Sequence, residues 1–158
     1  MIFVTVGSQP FERLVMAVDE LIERSIIKEK VFMQISNSKY IPKNAKWCKF
    51  VEPTQFNKLI KKANLIISHG GTGNIFTFLK FRKKIIIVPR LREYNEAIDD
   101  HQLQIANLLE KEKKAIFVKD IKDLKKAINK IKTFHPQLKS KKEQSIFMMV
   151  ENFLAKLK

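Results

Sequence analysis

Short β-branched runs alternate along the chain with stretches in which apolar residues recur at helical spacing. Ile2 to Val6 reads as a buried strand, Gly7-Ser8-Gln9-Pro10 as a turn, and Phe11 to about Arg24 as a helix. That helix carries Leu14, Val15, Val18, Leu21 and Ile22 on one face. Val31 to Ile35 predicts a second strand, Ser36 to Lys46 a polar loop, and Lys49 to Val51 a short third strand. Thr54 is a candidate cap for a helix to about Lys62 with Phe56, Leu59, Ile60 and Ala63 inward. Leu65 to Ser68 is the fourth strand, Asn74 to about Phe81 a glycine-led helix, and Ile85 to Val88 a fifth strand ended by Pro89. Asp100 to about Glu110 predicts a helix, and Ala115 to Val118 the sixth strand. Asp120 caps a helix to about Lys132 with Ile121, Leu124, Ile128 and Ile131 inward.

Thr133-Phe134-His135-Pro136 breaks that helix, and a last one begins near Leu138. Its broad stripe of Ile146, Met149, Val150, Phe153 and Leu157 either packs on the sheet or reaches another subunit. Strands alternating with helices predict an α/β fold with a doubly wound, mainly parallel, Rossmann-like sheet. A chain of 158 residues suits one such domain, read as 1–132 with a helical extension over 133–158. No internal repeat or low-complexity tract interrupts it.

Charge changes the picture in one respect. Thirty-one Lys and Arg against 16 Asp and Glu give a net charge of +15. The excess points to an anionic partner (nucleic acid, an acidic membrane or a phosphorylated substrate) or to a solvated lysine-rich surface. Arginine occurs only at 13, 24, 82, 90 and 92, which disfavours base reading in nucleic acid. The single Cys48 excludes an internal disulfide and reads as structural. No apolar run approaches the ~18 residues needed to span a bilayer. The N-terminus has no signal-peptide pattern, so any membrane association is expected to be peripheral.

Candidate chemistry gathers after two strands. Leu65-Ile66-Ile67-Ser68-His69 leads into Gly70-Gly71-Thr72-Gly73-Asn74, so glycines open a helix at a strand's carboxyl end. There a phosphate can approach the backbone and meet free N–H donors. Beyond Ile85 to Val88, a polar loop reaches Glu96, Asp99, Asp100, His101 and Gln102. The pairing suggests a phosphorylated ligand, most simply a nucleotide, at the strand edge. Gly7 stands alone, without the G-x-G-x-x-G of dinucleotide binders, and Gly73 is not followed by the Lys of a phosphate-binding P-loop. His69 is either a hydrogen-bonded core residue or a ligand contact, and His101 poses the same choice. Neither has the spacing of a zinc site. No nucleophile motif and no catalytic base stands out.

Four motifs then occur in order: Val4-Thr5-Val6-Gly7-Ser8-Gln9-Pro10-Phe11, Ser68-His69-Gly70-Gly71-Thr72-Gly73-Asn74-Ile75, Val88-Pro89-Arg90, and Asp99-Asp100-His101-Gln102. Over about residues 1 to 120 the chain resembles the catalytic subunit of two-component bacterial capsule and exopolysaccharide glycosyltransferases. It is similar to the eukaryotic subunit that adds the second N-acetylglucosamine to dolichol-linked chitobiose. Both look like the carboxyl half of the GT-B enzyme that makes peptidoglycan lipid II, in family 28. The resemblance implies one half of a GT-B glycosyltransferase, with an inverting, metal-independent transfer from a UDP-sugar and no cofactor. The sugar would be a hexose or N-acetylhexosamine, and the acceptor a lipid-linked saccharide. Gly70, Gly71, Thr72 and Gly73 match the glycine corner against the donor, and Gly7 and Ser8 the turn facing its diphosphate. Asp100, His101 and Gln102 match the run near the sugar. His69, Asn74 and Glu96 are the remaining candidate contacts. Thr77 departs from the family pattern, which has an acidic residue there for the ribose hydroxyls. Arg82-Lys83-Lys84-Ile85 replaces the family's Gly-Lys-Pro.

A GT-B enzyme needs two such domains, so the resemblance implies a membrane-anchored partner that supplies the acceptor half. The chain would then be cytoplasmic and held at the inner face of the membrane, its lysines near an anionic leaflet. Two other readings remain: a non-catalytic subunit that stabilises a partner, favoured by Thr77, and a basic nucleic-acid-binding domain, which lacks aromatic stacking motifs.

Overall fold

A computed structural model describes residues 1–137 and position 155. Within them lie six strands: β1 (Ile2–Thr5), β2 (Val31–Gln34), β3 (Lys46–Cys48), β4 (Leu65–Ser68), β5 (Lys84–Ile87) and β6 (Ile116–Phe117). The helices are α1 (Glu12–Glu23), α2 (Pro53–Lys62), α3 (Thr72–Lys80), α4 (His101–Lys111) and α5 (Leu124–Thr133). The strands form one sheet in the order β3-β2-β1-β4-β5-β6, every neighbouring pair parallel. This is the doubly wound Rossmann-like arrangement that the alternation of patterns predicts.

Period-two alternation divides each strand between two cores. Ile2, Val4, Met33, Ile67 and Ile86 face α1 and α5 through Leu14, Val15, Val18, Leu124 and Ile128. Phe3, Ile66, Ile85 and Ile87 face the opposite way, against Leu59, Ile60, Phe78, Ile105 and Leu109 of α2, α3 and α4. Strands buried on both faces explain the unbroken apolar runs of the sequence. Each such side chain contributes roughly 1.5–3 kcal/mol on burial. β1 lies at the centre, paired with β2 on one side and β4 on the other.

Three predicted features are corrected. The third strand is Lys46–Cys48 rather than Lys49 to Val51. Being an edge strand, it exposes Lys46 and Trp47 and so lacks the apolar pattern that marks the inner strands. Thr54 does not cap α2: Glu52 is its N-cap and Pro53 its first residue, where a missing N–H costs nothing. Asp120 caps first a 3-10 turn, Ile121–Asp123, by accepting from the Lys122 N–H, and α5 follows. The predicted final helix and its apolar stripe lie outside the described residues.

Two carboxylates anchor the long connection after β2. Buried Asp19 accepts from the Tyr40 hydroxyl (2.7 Å) and from the N–H groups of Lys43 and Asn44 (both 2.9 Å). Burial pushes its pKa up, but these hydrogen bonds outweigh that and hold it below the usual value. Glu12 receives the Lys39 and Tyr40 N–H groups in the same way.

Candidate functional site

The strand order reverses direction at β1 and β4, and a crevice opens beyond the carboxyl ends of strands at such a point. The turn Gly7-Ser8 follows β1 there, and His69-Gly70-Gly71 follows β4. α3 begins at Thr72, with Gly71 at its N-cap and no side chain capping it. The first backbone N–H groups of α3 are therefore open to a ligand, at the positive end of the helix dipole.

The turn after β1 is held by β2. Gln34 accepts from the Thr5 hydroxyl (2.6 Å) and the Gly7 N–H (3.2 Å) through Oε1. Its Nε2 donates to the carbonyls of Gly7 (2.8 Å) and Lys49 (2.9 Å). Ser36 Oγ donates to the Ser8 carbonyl at 2.7 Å. Arg90 pins the other side: buried at 4% exposure, its Nη2 donates to the carbonyls of Val6 and Gln9, both at 2.6 Å. Burial lowers the Arg90 pKa to about 10, which leaves it a cation at neutral pH, with its charge over the Phe11 ring. Neither Gln34 nor Arg90 is among the candidate contacts read from the sequence. A polar residue inside the apolar run Val31 to Ile35 is the signal that would have found Gln34.

His69 is a packed residue. Its ring fills the space between Gly7 and Gly71: a Cβ on Gly7 would lie 2.7 Å from His69 Cε1, and one on Gly71 would strike Nε2. Gly7 also has φ of +72°, which glycine adopts without penalty. Gly73, by contrast, has open space where a Cβ would stand. Burial first, then the Arg90 charge, push the His69 pKa down to about 4, against a hydrogen bond with the Thr5 backbone. The ring is neutral at pH 7. Its folded pKa lies below the unfolded value near 6.5, so unfolding takes up a proton between those two values. The neutral ring's stability is thus complete above pH 6.5 and lost as pH falls towards 4, by roughly 3 kcal/mol. Urea midpoints measured across this window should drop for the wild type, and the part due to His69 should vanish in His69→Asn. Equal pH profiles for the two would refute the buried neutral ring.

Two cavities flank the Gly7-Ser8-Gln9-Pro10 turn. The one beside β2, about 390 Å³, brings together Gly7, Ser8, Gln34, Asn74 and Thr77. Its wall is Phe50, Val51, Pro53 and Phe56, with Asn57 beside them. Phe56 stands edge-on to Phe3 at 5.5 Å and beside Phe78 at 6.3 Å, so this wall is braced by the core. The other, about 1030 Å³, is bounded by Gln9, Arg13, Arg90, Tyr94, Glu96 and Gln102, among others. Glu96 there is engaged by Arg13 through a two-pronged ion pair of 2.9 and 2.7 Å, and it also accepts from the Leu91 N–H. It fastens the 90–98 loop to α1. Gln102 accepts from the Arg90 N–H, and its backbone carbonyl lies near Gly70.

Asp100 and His101 are set apart from this group. Asp100 lines a further cavity with Leu91, Arg92 and Lys119, and His101 pairs with Asp99 at 3.1 Å. The structure thus gathers Gly7, Ser8, Asn74 and Thr77 in one cavity. Glu96 and Gln102 fall in a second, and Asp100 in a third.

Comparison with known proteins agrees with this architecture. Part of the chain is 35% identical over 80 residues to the UDP-N-acetylglucosamine transferase subunit ALG13 of Candida albicans. That match takes in 51% of this chain and 26% of the yeast protein, so the chain aligns with about a quarter of that relative. The solution structure of ALG13 superposes with a TM-score of 0.65 at 19% identity, covering 94% of each chain. MurG of Acinetobacter baumannii superposes with a TM-score of 0.64 at 19% identity, over 90% of this chain and 43% of that one. The model of the glycosyltransferase family 28 C-terminal domain matches residues 1–157, and the chain therefore belongs to that family.

Proposed function

We propose that the chain is the donor-binding catalytic subunit of a UDP-sugar-dependent, inverting glycosyltransferase. The observation that carries this reading is the 390 Å³ cavity between the Gly7-Ser8 turn and the open N-terminus of α3, in a family 28 domain. Its aromatic wall suits a flat base, and Asn57, Asn74 and Thr77 offer polar contacts to a ribose. The diphosphate would then run toward the first N–H groups of α3. In the transfer, an acceptor hydroxyl attacks the anomeric carbon and gives up its proton to water or a base as the bond to the β-phosphate oxygen breaks and UDP leaves. Those N–H groups, fixed beforehand, take up the negative charge that grows on the leaving diphosphate.

The acceptor is proposed to be a lipid-linked saccharide in capsule or exopolysaccharide synthesis. A membrane-anchored partner would present it, with this chain peripheral at the inner face of the membrane. No helix among the described residues is long and apolar enough to cross a membrane. MurG is more than twice as long as the part this chain matches, and the proposed partner would stand for the remainder.

Calorimetry with UDP, GDP and ATP tests the donor reading. UDP should bind at least about tenfold tighter than the purines, since a braced wall fits one ring size best. Equal affinities, or no binding of any, would sink it.

A further inference from the structure

The cavity beside β2 is neutral on every side chain that lines it. Among the described residues, none of its lining positions carries a carboxylate or a cation. Glu52 lies between the lining residues Val51 and Pro53, but it is the exposed N-cap of α2 and does not line the cavity.

Of the polar side chains that remain, Gln34 and Thr77 are committed, while Ser8, Asn57 and Asn74 offer only neutral contacts. Both ends of the Gln34 amide are taken by the Gly7 turn, Thr5 and Lys49. Thr77 Oγ donates one turn back to the Gly73 carbonyl at 3.1 Å. Its hydrogen is spent, and what it shows a ligand is a neutral hydroxyl oxygen. Asn57 is exposed and satisfies itself with water as readily as with a ligand.

A ribose presents two hydroxyl donors on adjacent carbons. An anionic acceptor that takes both forms strong, charge-assisted bonds. A site built that way rejects the analogue lacking one hydroxyl, because its own buried acceptor is left unpaired. Nothing of that kind lines this cavity. Removing the 2′ hydroxyl from a ligand here strands no charged group, and water replaces the contact at the open rim.

We propose that this site does not read the 2′ hydroxyl: it accepts 2′-deoxyribonucleoside diphosphates, and the sugars they carry, about as well as the ribonucleotides, and Thr77 is the position that sets this tolerance. The inference rests on the nucleotide reading of the cavity and extends it to the class of donor.

Calorimetry of the full chain with UDP and with 2′-deoxy-UDP separates the two claims. The dissociation constants should agree within about threefold, the cost of one weak neutral hydrogen bond. A preference for UDP of tenfold or more overturns the inference while leaving the nucleotide reading intact. Binding of neither removes both. A second measurement addresses the residue. Thr77→Glu places an acceptor for both hydroxyls on the cavity wall, and the UDP-over-deoxy-UDP ratio should rise to about tenfold or more. An unchanged ratio in a variant that still binds UDP overturns the assignment to position 77.

Discussion

Purified by itself, the chain should transfer sugar to a lipid-linked acceptor slower by roughly five orders of magnitude or more than the same chain with the proposed acceptor-domain partner. The expectation follows from what one half of a cleft can do. The β2-side cavity and the open end of α3 can hold a donor, but holding a donor does not place an acceptor hydroxyl in line with its leaving group. Orientation of two reactants is worth effective concentrations of about 10⁵–10⁸ M, and the proposed second domain would supply it. Donor affinity should change far less, because the contacts proposed for the nucleotide lie on this chain. The check is a radiolabelled transfer assay with and without a co-expressed partner. Robust turnover by the chain by itself would contradict the proposal. So would UDP affinity that appears only with the partner.

Gly71→Ala should abolish donor binding and destabilise the domain by several kcal/mol, although it adds one methyl group. The new Cβ would collide with His69 Nε2. The ring has nowhere to go, since Gly7 packs on its other side and the site is buried. Overpacking of this kind costs typically 1–3 kcal/mol, more where the backbone must shift. Any shift here moves the start of α3, whose N–H groups are proposed to face the donor. Gly73→Ala, which meets nothing within 4 Å, serves as the matched control and should be nearly silent in stability. The pair His69→Ala with Gly71→Ala should recover much of the loss, because removing the ring makes room for the methyl. Thermal melts and UDP calorimetry of the three variants beside the wild type decide this. If the double variant is no better than Gly71→Ala, the clash with His69 is not the cause.

The packing around His69 adds a structural role to the glycine corner. From the sequence, consecutive glycines before a helix read as clearance for a phosphate. In the structure, Gly7 and Gly71 give clearance to a neighbouring imidazole, and Gly73 has open space at its Cβ position. A strand-edge histidine can be a ligand contact or a packed ring, and only three-dimensional neighbours separate the two. The six-strand parallel sheet was legible because inner strands are buried on both faces and write themselves as apolar runs. β3 was misplaced because an edge strand with Lys46 and Trp47 exposed writes no such run. The site was legible where one motif holds several residues, as in Gly70 to Asn74. It was not legible where the partners are far apart in sequence. Gln34 with Gly7, Arg90 with Val6, and Arg13 with Glu96 are separated by 27, 84 and 83 positions. The run Asp100-His101-Gln102 reads as one unit, but a helix start turns neighbouring side chains in different directions, toward different cavities.

The central place of β1 bears on how the chain is made. During synthesis β1, α1 and β2 leave the ribosome before β4 exists, and β1 then has only one of its two partners. Until Leu65–Ser68 arrives, the strand that ends in the Gly7 turn presents an unpaired, mostly apolar edge. Such an edge is a template for pairing between nascent chains.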